Sequence, residues 1–255
     1  MNAGAESGDL VGGPHAVLAL LDADEPRASR IWVQKAPRSG RLAEIVDAAR
    51  RAGVPFDLVE RAWLDRRAGG LRHQGVLAQV RPVVLADEAG LLAHIDASLG
   101  ADSGRVLLLV LDEIQDARNL GACLRSADAA GVTAIVLPKR RSAPLNAAAS
   151  KAAAGALEQL FIAEVTNLTR TLKALKERGV WVFGAAADGA QRFDQADFSA
   201  PTALVLGSEG KGVRRLVREQ CDALVSLPMA GSVASLNVSV ATGILLFEVV
   251  RQRLD

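Results

Sequence analysis

The run Val106-Leu107-Leu108-Leu109-Val110-Leu111 decides the fold class, because all six consecutive side chains are apolar. A strand that is apolar on both faces is typical of a parallel sheet covered by helices on both sides. Later runs of the same kind alternate with helical patterns, at 134–137, 180–183, 203–206 and 224–227. The sequence therefore predicts an α/β domain built on a parallel sheet, from residue 105 to residue 255.

The chain before this domain divides into further segments. Residues 1–9 contain no basic residue, so we expect a short flexible tail and not a signal peptide. Residues 10–82 alternate short patterns, which predict a small α/β domain with helices at 14–21 and 41–52 and strands at 31–33, 56–59 and 76–80. Residues 83–104 are polar and glycine-bearing towards their end, and we expect them to form a linker.

The arginines of residues 10–82 are interspersed with acids, so their pattern fits either a solvated surface or a nucleic-acid-binding face. They are Arg38, Arg41, Arg50, Arg51, Arg66, Arg67 and Arg72.

Composition narrows the class of protein. Of the 255 residues, 50% are hydrophobic and 23% are charged, which is enough apolar material for a sizeable core. The net charge of +1 neither requires nor excludes a nucleic-acid partner. Two cysteines cannot form a disulfide scaffold, and the three histidines are too far apart to indicate a metal site. No apolar run reaches the roughly 18 residues of a membrane span, so we expect a cytoplasmic protein.

Ligands of parallel sheets bind beyond the carboxyl ends of the strands, so the segments that follow the strands are candidate sites. After the first strand, Asn119 stands near a helix start, where it could also be a helix cap. Arg125 follows within a helix of otherwise small and apolar residues. After the second strand, the run Lys139-Arg140-Arg141 fits either a solvated loop or a set of phosphate contacts.

The last two strands are followed by unusual loops. Gly207-Ser208-Glu209-Gly210-Lys211-Gly212 matches neither a Walker loop nor the dinucleotide-binding fingerprint. The stretch 227–240 is apolar, yet it contains proline, glycine and serine residues and Asn237. We interpret it as a buried loop that feeds a helix and offers its backbone to a ligand. The helix is indicated by apolar residues at Leu236, Val240, Ile244, Phe247 and Val250.

Together the three strand-end segments resemble the SpoU group of the SPOUT superfamily of RNA ribose 2'-O-methyltransferases. The matching residues are Asn119-Leu120-Gly121-Ala122 with Arg125, then Leu206 to Gly212, then Leu227 to Ser239. Four stretches are similar to the members that methylate a guanosine in the P loop of bacterial 23S ribosomal RNA: His15-Ala16-Val17, His73-Gln74-Gly75-Val76, Asn119 to Gly131, and Pro228 to Gly243. The resemblance implies a trefoil knot in the parallel-sheet domain, an RNA-binding N-terminal domain and a homodimer formed through the knotted domain.

The resemblance also implies S-adenosylmethionine as the cofactor, with no metal. The implied cofactor-binding residues are Leu206, Gly207, Leu227, Met229, Ser235 and Leu236. The implied catalytic residues are Arg125, Asn119, Glu209 and Asn237. A guanidinium with a pKa above about 12 is a poor general base, so we expect Arg125 to bind a target phosphate or the developing oxyanion. The other three would orient Arg125 and the ribose, and RNA contacts would extend to Lys139, Arg140 and Arg141.

Alternatives remain open at this point. The substrate could be transfer RNA or another ribosomal RNA loop, or the chain could be a noncatalytic RNA-binding relative. A nucleotide-dependent dehydrogenase is disfavoured, because no glycine-rich phosphate-binding spacing follows the first strand. The C-terminal helix, residues 235–254, could serve either as the dimer interface or as part of the core.

Overall fold

The computed structural model describes residues 9–23, 26–35, 40–102 and 105–254. Residues 1–8 of the predicted tail and Arg38 lie outside the described ranges. The described residues form two compact units. Unit 1 contains the residues up to Val84 together with Leu145–Gln159, and unit 2 contains Leu85–Pro144 and the residues from Leu160 onward. The domain limits expected from the sequence stay a prediction.

The elements follow one another along the chain in an alternating α/β order. They are β1 (Asp9–Gly12), α1 (Pro14–Asp22), β2 (Ala28–Gln34), α2 (Gly40–Arg51), β3 (Phe56–Val59), α3 (Arg61–Ala68), β4 (Val76–Val80), α4 (Glu88–Asp102), β5 (Leu107–Asp112), α5 (Ala117–Ala129), β6 (Ala134–Pro138), α6 (Ala147–Ala153), β7 (Ile162–Val165), α7 (Leu168–Lys176), β8 (Trp181–Ala185), β9 (Gln191–Arg192), β10 (Thr202–Gly207), α8 (Arg215–Arg218), β11 (Ala223–Ser226) and α9 (Val238–Gln252).

Unit 1 is a small α/β unit whose sheet has the strand order β1-β4-β2-β3. Strands β2 and β3 are parallel, while β4 is antiparallel to both β1 and β2. Helix α1 begins at Pro14, as predicted, because proline is tolerated in the first turn of a helix. Helix α2 is followed by Gly53, whose positive φ of 66° suits a helix stop. Helix α3 was not predicted, because only Leu64 and Ala68 of its charged sequence are buried.

The segment that contains α6 belongs to unit 1, although it lies within the predicted 105–255 domain. Glu158 in this segment forms an ion pair with Arg27 at 2.6 Å, and the carboxylate is almost fully buried. Gly155 has φ 104°, and a Cβ there would lie 2.6 Å from the Cβ of Ala19 in α1. The close approach therefore requires glycine at this position.

Unit 2 contains the predicted parallel sheet. Its strand order is β7-β6-β5-β10-β8-β11-β9, and every pairing is parallel. Every residue of β5 is buried, which confirms the interpretation of its continuous apolar run. One face of the sheet packs against α4 and α7, and helices α5 and α9 pack against each other. Strands β7 and β9 were not predicted, because each is short and carries polar residues.

No helix within the described ranges is long and apolar enough to cross a membrane. The trefoil knot that the resemblance implies for the connections of unit 2 stays a prediction.

Candidate functional site

A cavity of about 730 Å³ lies at the carboxyl ends of β8, β10 and β11 in unit 2. This volume falls within the range of small-molecule sites. Its walls come from the loops that follow these strands, at residues 185–188, 206–213, 225–229 and 233–236. The cavity therefore lies where the parallel sheet predicts a ligand site.

The loop 207–213 contributes one wall and has a backbone that only glycine allows. A Cβ on Gly207 would lie 2.0 Å from the carbonyl carbon and oxygen of Gly212, far inside contact distance. Gly210 and Gly212 have φ values of 79° and 66°, and the N–H of Gly212 donates to the carbonyl of Ser208 at 2.8 Å. The glycines thus let the chain fold tightly back on itself beside the cavity.

A buried carboxylate fixes the far end of this loop. Asp112, at the end of β5, is completely buried. It accepts hydrogen bonds from the backbone N–H of Arg214 at 3.0 Å and from its Nε at 2.8 Å. The bond to Asp112 raises the pKa of Arg214 above its ordinary value. Glu113 accepts from both Arg214 and Arg141, at 3.2 and 3.1 Å, and extends the network.

Three of the predicted site residues meet in one hydrogen-bonded cluster. Oε1 of Glu209 accepts from Nδ2 of Asn119 at 2.9 Å and from Nδ2 of Asn237 at 2.7 Å. Nδ2 of Asn237 also donates to Oδ1 of Asn119 at 3.0 Å. We call these three residues the amide–carboxylate cluster. Each comes from a different strand-end segment, so the structure brings together residues up to 118 positions apart in the chain.

The helix-capping role considered for Asn119 belongs to another residue. The side chain of Asp116 caps α5 by accepting from the backbone N–H of Arg118 and of Asn119. Asn237 has two functions, because its Oδ1 also accepts from the N–H of Ser239 at 2.9 Å and caps α9. The start of α9 is thereby tied to the amide–carboxylate cluster.

Arg125 is exposed on α5 and forms no hydrogen bond or ion pair with a residue in the described ranges. The structure therefore does not join Arg125 to the amide–carboxylate cluster. Its guanidinium is free to meet a ligand or another chain.

The predicted cationic run after β6 divides into two kinds of residue. The side chains of Lys139 and Arg140 are exposed and have no partner among the described residues. Arg141 has a positive φ of 66° and pairs with Glu113. Arg141 is therefore committed to the network around Arg214, whereas the first two cations remain available.

The interpretation of residues 227–240 as a buried loop was wrong. Residues 230–235 are exposed, and Leu227, Met229 and Leu236 are half-buried against the open cavity. The small side chains of the loop leave its backbone accessible instead of enclosing it. No hydrogen bond joins the backbone of residues 227–236 to another residue in the described part of the chain, so its N–H and C=O groups are available to a ligand.

Sequence reasoning missed some residues that shape the site. Asp112 was treated only as the start of a polar loop, although an acid directly after a fully apolar strand needs a buried partner. Asp188 also lines the cavity and forms a bidentate pair with Arg218 at 2.9 and 2.8 Å. The bond from Arg218 lowers the pKa of Asp188, which keeps a negative charge at the rim.

Comparison with known proteins defines the class. Residues 106–247 match the model of the SpoU rRNA methylase family, and residues 10–84 match a region described as RNA 2'-O ribose methyltransferase substrate binding. The chain therefore belongs to the SpoU rRNA methylase family, which confirms the resemblance seen in the sequence.

Similar proteins cover nearly the whole chain. The chain is 47% identical over 248 residues to the 23S rRNA (guanosine-2'-O-)-methyltransferase RlmB of Photorhabdus laumondii, covering 96% of this chain and 98% of that protein. It is 46% identical over 245 residues to RlmB of Escherichia coli K12, covering 96% and 99%. The crystal structure of the SpoU methyltransferase AviRb from Streptomyces viridochromogenes with AdoMet matches with a TM-score of 0.79 and 23% identity, covering 96% of this chain and 90% of that one.

Proposed function

We propose that this protein transfers the methyl group of S-adenosylmethionine to the ribose 2'-hydroxyl of a guanosine in 23S ribosomal RNA. The observation that carries the proposal is the cavity at the carboxyl ends of the parallel strands, which the amide–carboxylate cluster joins through Glu209. Relatives named for this reaction are 46–47% identical over nearly their whole length. We place the protein in the cytoplasm, where ribosomal RNA is its substrate.

The cavity residues fit the cofactor by their chemistry. Half-buried Leu227 and Leu236 and buried Leu206 offer apolar surface to a nucleoside. The unpaired backbone of residues 227–236 offers donors and acceptors to its polar edges. S-adenosylmethionine supplies an electrophilic methyl group when bound, and the protein's task is then to orient and desolvate the reacting groups. Gly207, Met229 and Ser235 complete the proposed cofactor-binding set.

The amide–carboxylate cluster is suited to hold the ribose. A carboxylate accepts through both oxygens, and Oε1 of Glu209 already accepts from Asn119 and Asn237. Its Oε2 has no described partner and can accept a bond from the 2'-hydroxyl. The two amides fix the orientation of the carboxylate. In this proposal Arg125 binds a target phosphate or the developing oxyanion, because its guanidinium stays charged.

We further propose that the protein works as a homodimer through α9. Val240, Ile244 and Phe247 are exposed by 50%, 37% and 50%, and their spacing places them on one face of the helix. Helix α5, which carries Arg125, packs against α9, and Oγ of Ser126 lies 3.6 Å from the position of a Cβ on Gly243. Association of two copies through this face would cover the apolar stripe and bring both subunits close to the site.

The reaction is tested by incubating the protein with radiolabelled S-adenosylmethionine and either unmodified 23S ribosomal RNA or transfer RNA. We expect label in 23S ribosomal RNA. Label in transfer RNA alone would show that the substrate is transfer RNA and not 23S ribosomal RNA. No label in either RNA would contradict the proposal that the protein is an enzyme. Arg125→Ala should abolish transfer and preserve cofactor affinity. Lys173→Ala, which removes an exposed cation from α7, should change neither.

The dimer is tested by sedimentation of the wild type and of two matched variants. Phe247→Lys introduces a charge into the proposed interface and should yield a monomer. Leu216→Lys introduces the same charge at a side chain that is 55% exposed on α8, and it should remain a dimer. A monomeric wild type, or two variants of equal mass, would contradict the proposed interface.

A further inference from the structure

The turn between α3 and β4 in unit 1 holds an exposed glutamine in a strained backbone conformation. Gln74 has φ 50°, a region that residues with a Cβ adopt rarely and that glycine adopts without cost. The side chain is exposed and so contributes little packing. The strain at Gln74 together with its exposed amide makes this side chain a candidate for a function outside the fold.

Both neighbours of Gln74 are held in place by the surrounding residues. His73 is buried, and its Nδ1 accepts from the backbone N–H of Gly75 at 3.1 Å. Nε2 therefore carries the proton and donates to Asp65 at 2.8 Å. Gly75 has φ 91°, and a Cβ there would lie 2.8 Å from Cδ1 of Leu42. Exposed Gln74 thus stands between two buried residues whose positions are fixed.

The side chain of Gln74 adjoins a second exposed polar group. Its Oε1 lies 3.7 Å from the position of a Cβ on Gly13, in the turn that begins α1. Two residues further on, Nε2 of exposed His15 accepts from Nη1 of Arg41 at 2.7 Å. Arg41 is also adjacent in sequence to Leu42, which packs against the same turn. The turn that begins α1 therefore lies beside the amide of Gln74, and His15 in its first turn is bonded to the guanidinium of Arg41.

We propose that Gln74, Arg41 and His15 form a site of unit 1 that reads an unpaired nucleotide of the substrate RNA. The amide of Gln74 offers a donor and an acceptor to a base edge or a ribose hydroxyl, and the guanidinium of Arg41 binds the neighbouring phosphate. His73 is a positioning residue, because it holds the turn and not the RNA. The inference rests on the proposed RNA substrate and adds the residues that would recognise it.

The test separates strain from recognition. Gln74→Gly removes the amide and also relieves the backbone, so the melting temperature should stay the same or rise. Its affinity for unmodified 23S ribosomal RNA in a filter-binding assay should fall by about tenfold, as the loss of one or two hydrogen bonds predicts. Ala154→Gly is the matched control, since exposed Ala154 in the same unit has φ 53° and lies outside the proposed site. It should keep the wild-type RNA affinity.

Salt dependence distinguishes the two proposed contacts. Arg41→Ala should reduce the slope of log affinity against log salt by about one, whereas Gln74→Gly should leave the slope unchanged, because an amide releases no counterion. If the unsubstituted protein methylates 23S ribosomal RNA and Gln74→Gly binds this RNA with the same affinity, the inference is overturned and the proposed function stands. A wild type that neither binds nor methylates this RNA would instead refute the proposed function, and the inference with it.

Discussion

Replacing Asp112 by asparagine tests whether this carboxylate anchors the glycine loop to the sheet. Asp112 is completely buried and bonds Arg214 through the backbone N–H, Nε and Nη2, at 3.0, 2.8 and 2.6 Å. Asparagine has a single side-chain oxygen, and its NH₂ group would face an N–H donor of Arg214 in place of the second carboxylate oxygen. At least one of these bonds is therefore lost, and the negative charge is lost with it.

The magnitude follows from the number of bonds and from the exposure of the partner. A hydrogen bond to a charged group contributes about 1.5–3 kcal/mol, and an unpaired buried charge costs more. Arg214 is 41% exposed, so water compensates part of the loss on its side. We expect Asp112→Asn to lower the free energy of unfolding by about 2–3 kcal/mol, which corresponds to a melting temperature lower by roughly 5–10 °C.

The assay is urea unfolding, combined with calorimetric titration of S-adenosylmethionine. Asp96→Asn is the matched control, because Asp96 makes a similar two-bond pair with Arg178 but its side chain is 55% exposed. That exposed pair contributes about 0–1 kcal/mol. Cofactor affinity should fall only in Asp112→Asn, since Arg214 directly follows the loop 207–213 that lines the cavity. Equal losses of stability in the two variants would refute the anchoring role.

Three further predictions follow from the structure. Gly207→Ala would place a methyl group 2.0 Å from the backbone of its own loop and should weaken S-adenosylmethionine binding at least tenfold by titration calorimetry. Gly231 has open space around it, so Gly231→Ala should leave the affinity for S-adenosylmethionine unchanged. Equal affinities of the two variants would contradict this steric account. Replacing Lys139 and Arg140 together by alanine should reduce the salt slope of RNA binding by about two, and an unchanged slope would exclude them as phosphate contacts. Burial raises the pKa of Cys123 from 9.0 to about 11, so stability should fall between pH 9 and 11, where the unfolded thiol ionises first. In Cys123→Ser, the free energy of unfolding measured in urea should fall less between pH 9 and 11 than in the wild type, by up to about 3 kcal/mol. An equal fall in the two proteins would contradict the raised pKa.

The parallel sheet was predictable because burial on both faces leaves a mark on consecutive residues. Strand β5 is apolar at each position from Leu107 to Leu111, so its burial on both faces follows from its composition alone. Strand β9 consists of two polar residues and takes its structure from its neighbour β11. Nothing local to such a strand distinguishes it from a loop.

The sequence selected individual residues for the site but not the contacts between them. Asn119, Glu209 and Asn237 were selected by resemblance, and the structure shows that they bond to one another. The partner of Asp112 lies 102 residues away, a relation that no local pattern contains. The apolar stripe of α9 shows a further limit of pattern reading, because a period of about 3.6 residues predicts a helix face but not what covers it.

The most direct test of the proposed reaction is the chemical identity of the methylated nucleoside. Unmodified 23S ribosomal RNA is incubated with the protein and S-adenosylmethionine, digested to nucleosides and analysed by mass spectrometry. The account predicts one 2'-O-methylguanosine per RNA molecule, and none with Arg125→Ala. A methyl group on a base, or an RNA that stays unmodified, would contradict ribose methylation by this protein.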